Sequence, residues 1–235
     1  GRGFSIVSFW GVVPGDEGLM INGRGRMTAY RRGIGGLAYH APSDTHTKWN
    51  PRTMPKNDLY FDDEDEGLAR ETSHPNFVAL AGDDFYYDCA DDFSPFGSDD
   101  GNDALSGLQD WYGENKSGRG IVKFMNEFLA DWGLDVPWDR IRHDLDARTQ
   151  WLDEDDMHER FFQGECRAIV ATAFGQLKIA GRIDAELLGL AKAAIADQLW
   201  LNARARTKYP KWEFADQEQA RLEEMLAVLN QPSVG

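Results

Sequence analysis

The side chains with the most chemistry fall in one short stretch, Asp83 to Tyr112, which reads DDFYYDCADDFSPFGSDDGNDALSGLQDWY. Carboxylates at this density can ligate a hard cation through oxygen. They can form a general acid–base pair where burial drives their pKa values apart, or they can present a charged face to a basic partner. The EF-hand template requires oxygen ligands at alternate positions, Gly at the sixth and Glu at the twelfth. Asp99, Asp100 and Asp103 miss that spacing, so the stretch is not an EF-hand. A looser Ca²⁺ or Mg²⁺ site would draw on Asp83, Asp84, Asp88, Asp99, Asp100 or Asp103. Against it stands a structural role: Asp and Asn at a helix N-terminus satisfy unpaired backbone N–H groups and complement the helix dipole. Asp99-Asp100-Gly101 is also a natural turn. Phe85, Tyr86, Tyr87, Phe93, Phe96, Trp111 and Tyr112 would give acid–base chemistry apolar surroundings, but no nucleophile or histidine lies nearby in sequence to complete a mechanism.

Outside this stretch the chemistry is sparse. His40, His46, His74, His143 and His158 are scattered, and none forms an H-x-x-x-H or H-E-x-x-H pair, so no zinc signature exists. They are expected at surface or capping positions. Cys89 sits among acids, which raise a thiol pKa and disfavour a thiolate nucleophile, while Cys166 falls on the inward side of a helix. Two buried thiols are expected in preference to a Cys89–Cys166 bridge. The glycines of GIGG (33–36) lack the Lys-Ser/Thr of a phosphate loop and the G-x-G-x-x-G spacing.

Charge is the second organising feature. Of the net −15, residues 62–103 hold nearly all: fourteen acidic groups against Arg70 alone, a net of −13. Residues 1–61 carry eight basic and four acidic side chains. Such a block repels nucleic acid and membrane surfaces and steers basic partners toward itself. Arg24, Arg26, Arg31 and Arg32 are too few to reverse this, so no nucleic-acid partner is expected. No apolar run reaches the roughly 18–20 residues needed to span a bilayer. The short apolar run near the start is broken by Gly11 and Pro14 and reads as a strand, not a signal peptide. Two cysteines in 235 residues fit a reducing cytoplasm.

The elements that must position these residues are mainly helical. Phe4–Val13 reads as a strand, and Leu19–Ile21 with Met27–Tyr30 as short strands around Asn22-Gly23, a hairpin signal. Residues 31–60 read as loop. The expectation is a small β-containing or irregular arm (1–60), a solvated acidic linker (61–72) and a helical domain (73–230). Within it, Ser73-His74-Pro75 opens a short helix over Asn76–Ala81. Asn102 or Asp103 is the expected cap of a helix stopped by Gly113. Ile121–Trp132 is the clearest amphipathic run. Residues Trp138–Trp151 are expected as one helix with Ile141 and Leu145 inward, followed by Met157–Ala180. Asp184 caps the next helix, and Asp216 with Gln219 forms a capping-box-like start for the last.

The stretch HPNFVALAGDDFYYDCADDFSPFGSDDGNDAL, continuing into LQDWY, resembles the YfeS-like family of bacterial proteins. The later AIVATAFGQLKIAGRIDAELLGLAKAAIADQL resembles that family's C-terminal helices, so the likeness covers about residues 73–202. SPFGSDDGND is its most specific part. The resemblance implies a bacterial intracellular protein but brings no cofactor or catalytic residues to carry over. Some members are described in connection with a tryptophan-glycine-arginine domain. The nearest stretch here, Trp10-Gly11-Val12, lacks the Arg, and that association is not transferred. The functional expectation is a non-enzymatic module without cofactor. It would present Asp83, Asp84, Tyr86, Tyr87, Asp88, Asp91, Asp92, Phe96, Asp99, Asp100, Asp103 and Trp111 to a basic protein, for example as an immunity protein blocking a cationic toxin. The alternative is a metal-assisted hydrolase with Asp99, Asp100 and Asp103 as ligands.

Overall fold

The computed structural model describes residues 17–21, 27–31 and 58–234, and the chain divides into two compact units, Gly1–Thr53 and Met54–Gly235. In the first, β1 (Glu17–Ile21) and β2 (Met27–Arg31) pair antiparallel, with Leu19 opposite Ala29. This is the hairpin that Asn22-Gly23 signals. The expected strand Phe4–Val13 lies outside the described residues, as does most of the expected loop 31–60.

The second unit is helical, as its periodicity requires. It comprises α1 (Pro75–Leu80), α2 (Asp99–Glu114), α3 (Ile121–Ala130), α4 (Trp138–Ile141), α5 (Leu145–Glu154), α6 (Asp156–Ala180), α7 (Ala185–Lys208) and α8 (Ala215–Leu229). The axis of this unit is α6. It packs against α1, α2, α3, α5 and α7, while α8 packs on α7. From Phe162 to Ile179 nearly every α6 side chain is buried, polar ones included. A helix buried on all sides must be surrounded by others, and Ala168, Ala171 and Ala173 let those neighbours approach closely. Among the described residues no helix is long and apolar enough to cross a membrane.

Local chemistry sets most boundaries. His74 caps α1 by accepting from the Asn76 N–H at 3.0 Å, and Pro75 fills the first helical position, where no N–H is needed. Asp184 caps α7, accepting from the Glu186 N–H at 3.0 Å.

Three boundaries differ from expectation. The α2 cap is Ser98, whose Oγ accepts from the Gly101 N–H at 3.2 Å. The helix therefore starts before Asn102 and Asp103 and runs through Gly113 to Glu114. Residues 138–151 form two helices, because the Asp144 carboxylate accepts from the Ala147 N–H at 2.9 Å and starts α5 afresh. This turns Leu145 outward, 54% exposed, and turns Arg148 inward instead. Arg148 is 2% exposed and pairs with Asp197 at 2.7 Å, its guanidinium also donating to the Ile141 and Arg142 carbonyls. At α8 the cap is Phe214 with no side-chain hydrogen bond. Asp216 pairs with Arg206 at 2.5 Å, and Gln219 accepts from the same arginine at 3.0 Å.

The acidic stretch 61–72 is also not a solvated linker throughout. Lys178, fully buried on α6, donates to Asp62 at 2.8 Å and to the Thr72 carbonyl at 2.9 Å. The Tyr60 N–H donates to the Ile179 carbonyl at 3.0 Å. A buried ammonium must find such partners, and it holds both ends of the stretch against the helix.

Candidate functional site

The path from Asp83 to Ser98 is a chain of side-chain-to-backbone turns. The Asp83, Asp88 and Asp91 carboxylates accept from the N–H groups of Phe85, Ala90 and Phe93 at 2.9, 2.8 and 2.9 Å. The Ser94 Oγ accepts from the Phe96 N–H at 3.2 Å. Asp and Ser compete with helix and strand by this local bonding, which is why the segment winds irregularly between α1 and α2. Gly97 is required where the path crosses itself: a Cβ there would stand 2.0 Å from the Asp91 carbonyl oxygen.

The aromatics of this segment fasten it to the core. Phe85, Tyr86 and Phe96 are 4%, 1% and 0% exposed, and the Tyr86 ring stacks on Phe174 of α6 at 5.6 Å. Tyr86 and Phe96, expected as contact residues, are therefore core residues: no partner reaches them without unfolding. Tyr87 and Trp111 are half-buried, Tyr87 edge-on to Phe77 and Trp111 stacked on Phe124 at 5.1 Å. The Tyr87 phenol is pushed up to about 12, chiefly by burial.

The carboxylates divide. Asp83, Asp84, Asp88, Asp92, Asp99 and Asp103 are exposed and Asp91 is half-buried, as a surface presented to a partner needs. Asp100 is buried and committed, accepting both guanidinium nitrogens of Arg160 at 2.8 and 2.9 Å. Gly164 makes room for that pair, since a Cβ there would meet Arg160 Nη1 at 2.6 Å. Two further cations lean on the face. Arg70 binds Asp84 at 2.7 Å and lies over the Tyr87 ring, and Arg221 lies over Phe85 with Asp83 at 3.9 Å. Among the described residues, no three His, Cys, Asp or Glu side chains gather as metal ligands. With Asp100 held by Arg160, the trio Asp99, Asp100 and Asp103 does not form a ligand set. Cys89 is at the surface, contrary to the expectation of two buried thiols, and Cys166 is buried; both are free. The Cys89 pKa is raised, first by desolvation and then by Asp62 and Asp88, which keeps it a poor nucleophile.

One feature beside the acidic segment has no periodic signal in the sequence. A groove of about 650 Å³ runs along α6 and α7 to the loop before α8, with Leu201, Tyr209 and Trp212 in its wall. Tyr209 and, five residues on, Phe214 are 50% and 56% exposed. The Phe214 ring lies 6.5 Å from that of Phe93, so an exposed aromatic surface adjoins the aspartates. An aromatic-rich turn between two helices was the only signal that could have found it.

A scan against protein-family models finds no match, and no solved structure matches. A curated relative, "Uncharacterized protein YfeS" of Escherichia coli (strain K12), is 37% identical over 139 residues, which is 58% of this chain and 54% of that protein. The chain thus spans about half the length of the curated relative it matches. The resemblance to YfeS-like proteins read from SPFGSDDGND and the helices after it is borne out: this chain is similar to YfeS over more than half its length.

Proposed function

We propose that the chain is a non-enzymatic protein-binding module whose aspartate face, built on residues 83–103, docks a basic protein. An immunity protein blocking a cationic toxin is the instance this chemistry fits best. The observation that carries the reading is fixed, exposed charge. Asp88, Asp92 and Asp99 stand exposed with no ion pair among the described residues, on a backbone pinned by three buried aromatic rings. Charges held in place before encounter raise association rates and reject like-charged competitors without a large ordering cost. The aromatic anchors that usually dominate binding energy come from Tyr209 and Phe214 beside the groove, because Phe85, Tyr86 and Phe96 are in the core.

The test is affinity purification of the tagged protein at low and high salt, with wild type compared with Asp88→Asn/Asp92→Asn/Asp99→Asn. Asn keeps the local turn bonds and removes the charge. A basic protein retained by wild type at low salt, and lost in the triple variant, supports the reading. Recovery of nothing beyond background from either sinks it.

A further inference from the structure

A second cleft, of about 250 Å³, opens where α3 and the loop after it meet α4, α6 and α7. It lies apart from the aspartate face and uses none of its residues. Met125, Leu129, Ile169 and Leu190 give it apolar walls, and its polar groups are Glu165, Asp135, Asn126 and Arg142. Glu165 is only 6% exposed. Its Oε2 accepts from Trp138 Nε1 at 2.5 Å. A carboxylate accepts about four hydrogen bonds, so acceptor capacity is left over inside the cleft. Burial, and then the charge of Asp135, push the Glu165 carboxyl upward. A donor cation in the cleft would relieve that cost. Asp135 is set into the wall by a left-handed backbone, φ 52°, which side-chain-bearing residues rarely adopt. Arg142 lies over the face of the Trp138 indole at 5.2 Å. One ring thus holds an acid at its N–H and a base over its face.

Two acids and one base around an apolar hollow complement a zwitterion better than an amine or an acid alone. We propose that this cleft binds a free apolar α-amino acid of leucine type. Its ammonium group meets Glu165 and Asp135, its carboxylate meets Arg142, and its side chain lies against Leu129, Ile169 and Leu190. The volume suits a ligand of that size: at liquid density it is the room of roughly eight water molecules.

Calorimetric titration of the full chain with L-leucine, L-methionine and L-phenylalanine tests this directly. N-acetyl-leucine, which lacks the ammonium charge, and isoamylamine, which lacks the carboxylate, serve as controls. Saturable binding is expected for leucine, with each control weaker by about ten- to a hundredfold, the worth of one charge-assisted hydrogen bond. Glu165→Gln and Arg142→Ala should weaken leucine by a similar factor. Arg142 is exposed, so its variant should fold even if Glu165→Gln does not. The indole N–H cross-peak that Trp138→Phe removes should move on addition of leucine. The proposal is overturned if none of the three amino acids binds saturably. It is equally overturned if isoamylamine matches leucine, or if binding survives Arg142→Ala unchanged.

Discussion

Arg160 and Asp100 are sixty residues apart in sequence, yet they share two hydrogen bonds at 2.8 and 2.9 Å. The carboxylate is mostly buried and the guanidinium half-exposed, so this bond is discounted for solvent on one side. Asp100→Ala is expected to destabilise by about 1–3 kcal/mol, the range for a lost charge-assisted hydrogen bond, measured as a lower urea midpoint. Asp99→Ala, at an exposed position, should move it by less than about 0.5 kcal/mol. His74 gives a pH-dependent counterpart. Its Nδ1 must be unprotonated to cap α1, and burial lowers its pKa below the usual value. The folded state therefore favours the neutral ring. Its contribution is intact above the unfolded value of about 6.5 and is lost as pH falls from there toward the lower folded value. His74→Asn keeps a capping acceptor without titrating. It should flatten the melting temperature between about pH 7 and 5, and an unchanged slope would assign that dependence to other groups.

At the scale of elements, α6 decides the arrangement. Among its buried polar groups, Gln176 and Lys178 take partners from neighbouring segments, and those partners position the segments. Lys178 is the strongest case, fully buried and bound to Asp62 and Thr72. Lys178→Ala leaves Asp62 facing an empty site and should cost about 3–5 kcal/mol. Lys178→Met removes the charge but keeps the volume and should cost clearly less. In both variants hydrogen exchange should accelerate across residues 58–72 ahead of α7. If exchange there were unchanged, the ion pair would not be what fastens the stretch.

For the whole molecule the governing quantity is the uneven charge. With a net of −13 in residues 62–103, association through the aspartate face is expected to slow steeply as salt rises, because screening shortens to about 8 Å near physiological ionic strength. Stopped-flow association with the purified partner would measure this, and a salt-independent rate would place the contact elsewhere. Folding itself should tolerate the neutralised triple variant, since Asp88, Asp92 and Asp99 are exposed.

The sequence by itself determined what depends on near neighbours. The helices over 121–130, 156–180 and 185–208, the caps at His74 and Asp184, the hairpin and the acidic block all follow from spacing and local hydrogen bonding. So does the resemblance to YfeS-like proteins. Tertiary structure decided which groups meet across distance. The same aspartates read as one cluster, but burial against α6 turned Asp100 inward to Arg160 and left Asp99 in water. The aromatics of 83–112 read as a binding face, but the hydrophobic effect drew Phe85, Tyr86 and Phe96 into the core, while the exposed rings are Tyr209 and Phe214, which no expectation had singled out. Glu165, Trp138 and Arg142 carry no shared signal along the chain. Only the packing of α3, α4 and α6 brings them to one cleft, because burial and pairing of charge are properties of the packed unit and not of any segment.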